Sequence, residues 1–248
     1  MGAVGPGVVA LTLGTSGVVF AASERPLVEP MGRLHAFPHA VPGTWHVMGV
    51  MLSAAGSLRW YHDVTASSAG LPALVAEAAD VLPGCEGLTF LPYLSGERTP
   101  HADPKARAAF LGLTLAHGRG HLTRAVLEGV AFGLRDNLAL MGRVGLEEIG
   151  QVRVSGGGAK SALWRQILAD VLGVELLTVQ ATEGAAFGAA LLAGVGVQAW
   201  ESVEEACRRA VIPGEATVPD AESRELYEAP YQRFRAAYPA LRPLEHGV

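Results

Sequence analysis

The chain has little charge, few aromatic residues and almost no cysteine. Charged residues occupy 17% and aromatic residues 6% of its 248 positions, whereas 50% are hydrophobic. This composition excludes an intrinsically disordered chain and permits a sizeable core. Acidic residues outnumber basic ones, 24 against 19, and the net charge of -5 gives no support to a broad nucleic-acid interface. An anionic ligand would therefore have to be held locally.

The sequence also lacks the patterns of exported and membrane proteins. Cys85 and Cys207 stand far apart without a CxxC pair or a metal-ligand cluster, which favours reduced thiols in a cytoplasmic protein. No basic leader precedes an apolar stretch at the N-terminus, so no secretory signal is expected. The uncharged run 184–200 is at the short limit for a membrane span and is diluted by glycine and alanine. We expect a buried helix of a soluble protein there and no membrane partner.

Several familiar catalytic patterns are missing. The chain has no GxSxG elbow of a hydrolase. The spacing of His35, His39 and His46 matches no metal-ligand motif, which favours scattered surface histidines and predicts no metal site. Four further titratable residues are predicted to be solvated, two in a proline-bracketed loop and two on helix faces: His101, Asp103, Asp136 and Asp170.

Hydrophobic periodicity divides the first part of the chain into short elements. Residues 8–13 and 18–21 read as two strands joined at 14–17 by a turn of small residues, a β-hairpin. The other predicted elements are a proline-broken loop over 26–42, helices over 51–61, 73–82 and 122–143, a strand over 88–91 and a long polar loop over 92–104.

The later part of the chain alternates between strand and helix. A strand at 152–154, a helix over 160–172, a strand at 175–179 and a helix from 184 follow one another. This order requires a crossover and a parallel strand pair, which predicts an α/β layer. Two helices, near 203–210 and 222–238, close the chain, and no linker or repeat divides residues 1–248 into more than one domain.

The glycine run at 155–161, Ser-Gly-Gly-Gly-Ala-Lys-Ser, lies between a predicted strand and a predicted helix. Glycine lets backbone approach a ligand closely, and amides at a helix start favour phosphate. Ala159 stands where a GxxxxGK[ST] loop needs glycine. A dinucleotide fingerprint needs a third glycine or alanine where Ser161 stands, and an acid where Gln180 ends the next strand. A dinucleotide-dependent oxidoreductase is therefore poorly supported, while a tight turn and a nucleotide contact remain equally open.

A second small-residue segment, Gly14-Thr15-Ser16-Gly17, forms the predicted hairpin turn. On its own, this segment favours an ordinary turn over a binding loop by about two to one. Backbone amides and two hydroxyls at such a tip can also hold terminal phosphate oxygens without a cationic side chain. Two loops of this kind in one acidic chain suit a polyphosphate that spans both, with Mg²⁺ offsetting its charge.

Taken in order, four motifs resemble the C-terminal half of the FGGY carbohydrate kinases, and within that family the xylulokinase branch. They are LTLGTSG at 11–17, LPYLSGERTPHADP at 91–104, AVLEGVAFGLRD at 125–136 and SGGGAKSALWRQ at 155–166. The resemblance implies an α/β fold of the actin-like, ribonuclease-H-like ATPase type, with a mixed sheet flanked by helices. It also implies ATP with Mg²⁺ as cofactors and transfer of the γ-phosphoryl group to a ketose such as xylulose.

The same resemblance implies roles for seven residues. Gly14, Thr15 and Ser16 would approach the β- and γ-phosphates of the nucleotide. The adenosine and α-phosphate would be flanked by Gly157, Gly158, Ala159 and Lys160. The loop 95–104 would border the cleft.

The resemblance also implies what this chain would need for turnover. The family's general-base aspartate and its sugar-binding N-terminal domain both correspond to sequence before Met1, so no catalytic residue is assigned here and the isolated chain is expected to be inactive. The expected partners are the nucleotide and either that N-terminal domain or a second copy, through an uncovered apolar cleft face. The alternative is a non-catalytic interaction or regulatory module that keeps the kinase fold.

Overall fold

A mixed β-sheet flanked by helices forms the centre of the computed structural model, which describes residues 1–65, 68, 70–146, 149–180 and 184–246. From edge to edge, the sheet formed by these residues contains β3 (His35–Pro38), β4 (Trp45–Met51), β2 (Gly17–Ser23), β1 (Val8–Leu13), β7 (Gln151–Ser155), β8 (Leu176–Val179) and β9 (Pro213–Thr217). A separate antiparallel pair joins β5 (Thr89–Leu91) to β6 (Ala109–Leu111).

Strand β1 lies in the middle of the sheet and determines where the glycine-rich loops fall. It pairs with β2 in the antiparallel sense, which confirms the predicted hairpin, and with β7 in the parallel sense. Leu11 and Leu13 are fully buried on β1, as expected for a central strand. Because β1 and β7 run in the same direction, the loops that follow them emerge at the same edge of the sheet.

The helices of the described residues are α1 (Ala55–Val64), α2 (Leu71–Ala79), α3 (Arg119–Arg143), α4 (Ala162–Leu172), α5 (Gly184–Gly196), α6 (Val203–Ala210), α7 (Ala221–Leu226) and α8 (Glu228–His246). Helix α3 is the longest of them and is buried along most of its length. It approaches β5 so closely that a Cβ at Gly129 would lie 2.3 Å from the Phe90 carbonyl oxygen. The predicted end of this helix at 143 is confirmed, and Gly145 follows it with a φ of 98°.

The β-α-β unit of the later half is confirmed, with β7 and β8 parallel. Helix α4 begins at Ala162 rather than at Lys160, because the Ser161 hydroxyl caps it by accepting the Trp164 N–H at 3.1 Å. Lys160 instead ends a short 3₁₀ turn, Gly158–Lys160. The predicted final helix over 222–238 is wrong as a single element, since the chain forms α7 and then α8 on either side of Tyr227.

Four strands were not predicted from the sequence: β3, β4, β6 and β9. The segment 26–42 is not loop throughout, because β3 pairs with β4 at the sheet edge. Strand β4 extends to Met51, so the helix expected from residue 51 begins only at Ala55. Strand β9 is an exposed edge strand that carries proline and glycine, a composition that gives no strand pattern.

Helix α5 contradicts the expectation of a buried helix at 184–200. Leu191 is its one buried residue, and Leu192 is 45% exposed. The helix packs by one edge against a small cluster centred on Ala206 and Val211, next to β8. Its outer side is therefore apolar and open to solvent. No helix in the described ranges is both long and apolar enough to cross a membrane.

Candidate functional site

The loop between β1 and β2 is held against the start of α1 through its carbonyl groups. The Thr15 carbonyl accepts the Ala54 N–H at 2.8 Å and the Gly56 N–H at 3.1 Å, and the Gly14 carbonyl accepts the Ala55 N–H at 2.8 Å. The first amides of α1 are thus used to fix the loop. The Thr15 side chain remains exposed beside an open groove.

The loop after β7 meets the first loop at Gly156. This residue has a φ of 98°, and a Cβ on it would lie 2.5 Å from the Leu13 carbonyl oxygen and 3.1 Å from the Gly14 nitrogen. Two residues later, a Cβ on Gly158 would lie 2.4 Å from a Leu13 methyl group. Only glycine permits this approach, so the end of β1 supports both loops and keeps them adjacent.

A groove of about 660 Å³ opens where the two loops meet. Five of the seven predicted site residues line it: Gly14, Thr15, Gly157, Gly158 and Lys160. The other two are not among its lining residues. Ser16 lies just before the first residue of β2. Ala159 is buried, and its carbonyl accepts a hydrogen bond from the Arg165 guanidinium at 2.9 Å.

The groove has a polar end at the loops and an apolar end between helices. Leu58 of α1 and Leu71 and Val75 of α2 form the apolar walls. Trp164 lines the groove but is only 1% exposed, and its indole N–H donates to the Leu127 carbonyl at 3.1 Å. The sequence predicted these helices by their periodicity, but their contact with the glycine loops is a tertiary feature that periodicity does not contain.

The charge of the groove is one-sided. Lys160 and Arg59 are exposed cations on its lining, and none of the described lining residues is a carboxylate. This is a local cationic site within a chain of net charge -5. Arg59 was not singled out in the sequence, because a lone arginine on an amphipathic helix is ordinarily a solvated residue.

The proline-bracketed loop 95–104 braces this site from behind instead of bordering it. None of its residues is among the groove's lining residues. Glu97 Oε1 accepts the Leu52 N–H at 2.9 Å, and Thr99 exchanges two hydrogen bonds with the Val50 backbone. These contacts fix the end of β4, which leads into α1 and hence into the contacts with Thr15. That the loop borders the wider cleft of the two-domain enzyme stays a prediction.

The predicted solvation of His101 and Asp103 is also wrong. Asp103 is 7% exposed and accepts hydrogen bonds from the Tyr238 hydroxyl and from His246 on α8. Burial opposes ionisation of Asp103, but these bonds and the Lys105 N–H lower its pKa to about 2. His101 stacks on the Tyr238 ring at 3.8 Å, and burial lowers the pKa of His101 to about 4.

Asp136 and Asp170, predicted on solvated helix faces, are both buried. Asp136 accepts the Tyr231 hydroxyl at 2.7 Å, and Asp170 accepts the Asp220 N–H at 2.8 Å. Each aspartate ties its helix to the C-terminal elements, which explains why the helical pattern alone misplaced them. Burial raises the pKa of both carboxyl groups.

The histidines expected on the surface form part of a half-buried aromatic cluster. The rings of His39 and His46 lie 5.5 and 4.5 Å from the Phe20 ring. Within the part of the chain that the structure describes, no group of three or more metal-ligating side chains occurs. Cys85 and Cys207 are both free and buried, which confirms the prediction of unpaired thiols.

Comparison with known proteins assigns this architecture. The FGGY family of carbohydrate kinases, C-terminal domain, matches residues 9–197. Xylulose kinase of Escherichia coli (strain K12) is 43% identical over 249 residues, covering 98% of this chain and 51% of that protein. Xylulose kinase of Bacillus subtilis (strain 168) is 32% identical over 252 residues, covering 100% and 50%. The chain thus spans about half the length of these curated relatives.

Solved structures agree in fold. A xyloylose kinase from Brucella ovis superposes with a TM-score of 0.91 at 41% identity, covering 98% of this chain and 50% of that one. Plasmodium falciparum glycerol kinase with ADP gives a TM-score of 0.81 at 22% identity, covering 95% and 48%. The mixed sheet flanked by helices is that of sugar kinases with the actin-like ATPase fold, as expected. The chain belongs to the C-terminal domain family of the FGGY carbohydrate kinases.

Proposed function

We propose that this chain is the ATP-binding half of a sugar kinase and that the groove between the two glycine-rich loops holds the nucleotide. The observation that carries the proposal is the contact of Gly156 with Leu13 and Gly14, because it brings the two glycine-rich loops together at one site. The triphosphate would lie along Gly14, Thr15, Gly157 and Lys160 at the polar end. The base would occupy the apolar end, where α1 and α2 offer Leu58 and Val75.

Mg²⁺ fits this site only as part of the nucleotide complex. None of the described lining residues supplies a carboxylate, the side chain that most often holds Mg²⁺ in proteins. The Thr15 and Ser161 hydroxyls could reach the ion or its waters, while phosphate oxygens would provide its main ligands. When bound, the ion would neutralise charge developing on the phosphoryl group. The donor set therefore supports ATP entering as its magnesium complex.

The sugar to be phosphorylated would be a ketose such as xylulose, by analogy with relatives named xylulose kinase. We propose further that residues 1–248 form the nucleotide-side domain alone. The sugar pocket and the general base would then belong to the half of the relatives that this chain does not match. On its own the chain would bind nucleotide without transferring phosphate, because positioning of the acceptor hydroxyl supplies most of this chemistry. Membership of a kinase family disfavours the alternative of a non-catalytic module.

We expect a single lysine to contribute measurably to nucleotide binding. Lys160→Gln should weaken Mg-ATP binding about tenfold in isothermal titration calorimetry, because it removes the one lysine that lines the groove. The chain has one other lysine, the exposed Lys105, so Lys105→Gln is a matched control with unchanged affinity. The absence of any Mg-ATP binding at millimolar concentration, or equal losses in both variants, would contradict the proposal.

The exposed outer side of α5 is the surface we propose for the partner half of the enzyme or for a second copy. Leu192 and Val197 lie on or just beyond this helix and are 45% and 78% exposed, next to a row of small residues. Sedimentation velocity at rising concentration should show self-association that Leu192→Asp reduces. A purely monomeric chain that also fails to bind a separately expressed N-terminal half would refute this surface.

A further inference from the structure

A second cavity lies outside the nucleotide groove and shares no lining residue with it. Its volume is about 190 Å³, and it is a partly open recess bordered by α3, α8 and the proline-bracketed loop. Since a water molecule takes up about 30 Å³ of liquid, the cavity has room for about six waters or one hydrated tetrahedral ion. The bracing residues Glu97 and Thr99 do not line it either.

Cations dominate the walls of this cavity. Arg33, Arg143 and Arg235 line it from three different elements, against a single lining carboxylate, Asp136. Asp136 is already engaged, because it accepts the Tyr231 hydroxyl at 2.7 Å and lies 3.4 Å from Arg235. Arg143 takes part in no ion pair within 4.0 Å among the described residues. Since Glu29 pairs with Arg33 and Asp136 with Arg235, the positive charge of Arg143 is the one left uncompensated among the described lining residues.

Arg33, which lines the cavity, carries an unused hydrogen-bond donor. One of its terminal nitrogens donates to Glu29 at 2.6 Å, which fixes the guanidinium. Its Nε is buried and has no hydrogen-bond partner within the described ranges. A buried donor without a partner costs free energy, and an oxyanion beside it would remove that cost. Because Glu29 holds the group in place, little ordering would be needed on binding.

The remaining polar wall suits an anion as well. His101 lines the cavity, and burial keeps it neutral by lowering its pKa to about 4, with its Nε2 3.0 Å from the Tyr93 hydroxyl. Two neighbouring carboxylates do not line the cavity: Asp103 is turned to Tyr238 and His246, and Glu29 is bonded to Arg33. Among the described lining residues Asp136 is thus the one carboxylate, while Glu97 and Glu245 also act on the lining Tyr93.

We propose that this cavity is a second, non-nucleotide site that binds a phosphate-type oxyanion, either free phosphate or the phosphate group of a small phosphate monoester. Arg143 and Arg235 supply the charge, and Arg33 supplies a fixed guanidinium donor. Planar guanidinium groups match phosphate oxygens well, and several of them converging on one cavity select against chloride. Occupancy would tie α3 and α8 to the loop that braces the nucleotide site.

The test is titration of the intact chain with inorganic phosphate and with glycerol 3-phosphate near neutral pH at constant ionic strength, followed by calorimetry and by the melting temperature. The wild-type chain should bind at least one of the two, and the tighter one identifies the source of the phosphate group. Arg143→Gln and Arg235→Gln should each weaken binding about tenfold, and Arg143→Lys less. Arg208→Gln, an exposed substitution on α6, should leave it unchanged.

Lys160→Gln separates this site from the nucleotide groove. This variant should bind Mg-ATP more weakly in the groove and should bind phosphate in the second cavity as the wild type does. Both arginine variants alter exposed side chains, so unchanged melting temperatures without phosphate will show that they fold. The proposal is overturned if neither ligand binds at tens of millimolar, if only Lys160→Gln weakens binding, or if the arginine variants bind as the wild type does.

Discussion

Gly156→Ala is expected to abolish nucleotide binding and to lower the free energy of unfolding by about 2–5 kcal/mol. The added methyl carbon would lie 2.5 Å from the Leu13 carbonyl oxygen, and the residue would keep a φ of 98° that alanine rarely adopts. Both conflicts involve backbone, which cannot move aside as a flexible side chain can. The steric clash can be relieved by moving the two loops apart, and this movement would open the polar end of the groove.

The adjacent glycine provides a matched control for this prediction. A Cβ at Gly157 would meet nothing within 4 Å, and its φ of -63° suits alanine. Gly157→Ala should therefore change the unfolding free energy by less than about 1 kcal/mol in urea titrations. Equal losses of stability in the two variants would show that the approach of Gly156 to β1 does not hold the loops together.

Glu97→Gln is expected to make the chain more stable than the wild type in alkaline solution. Burial raises the pKa of Glu97 from its ordinary 4.5 to about 8, so the folded chain holds a proton that the unfolded chain releases between these values. The stabilising effect of that proton is complete below pH 4.5 and declines as the pH rises to about 8. The loss amounts to about 3–5 kcal/mol for one carboxyl group.

The amide keeps the acceptor that matters to the structure. Glu97 Oε1 holds the Leu52 and Arg98 N–H groups at 2.9 and 2.7 Å, and a glutamine oxygen can do the same without ionising. The measurement is the difference in unfolding free energy between variant and wild type at about pH 5, 7 and 9, with the exposed Glu24→Gln as control. A difference that stays constant with pH would show that Glu97 is not buried as a neutral acid.

The sequence predicted those parts of the fold whose signal is local. The β1–β2 hairpin shows as alternating apolar residues around a small-residue turn, and the β-α-β unit shows as a change of period. Both glycine-rich loops were recognised as candidates, because glycine lets the backbone approach a ligand closely, although local sequence explains an ordinary turn at least as well. Strand β9 and edge strand β3 were missed, since proline and solvent exposure remove the hydrophobic pattern.

The features that were misjudged depend on contacts distant in sequence. Asp103 and Asp136 satisfy their charge on tyrosines of α8, more than 90 residues later, so their own segments give no sign of burial. Helix α5 has the composition of a buried helix, yet most of it lacks a covering neighbour in this chain. The cation Arg59 and the walls of α1 and α2 enter the groove through tertiary packing alone.

The central claim is that the loops at Gly14–Ser16 and Gly157–Lys160 bind one nucleotide together. Amide hydrogen exchange of the whole chain, measured at a series of Mg-ATP concentrations, tests it most directly. The account predicts slower exchange in both loops with the same midpoint concentration, because one triphosphate contacts both. Protection of one loop only, or of the two with clearly different midpoints, would contradict it.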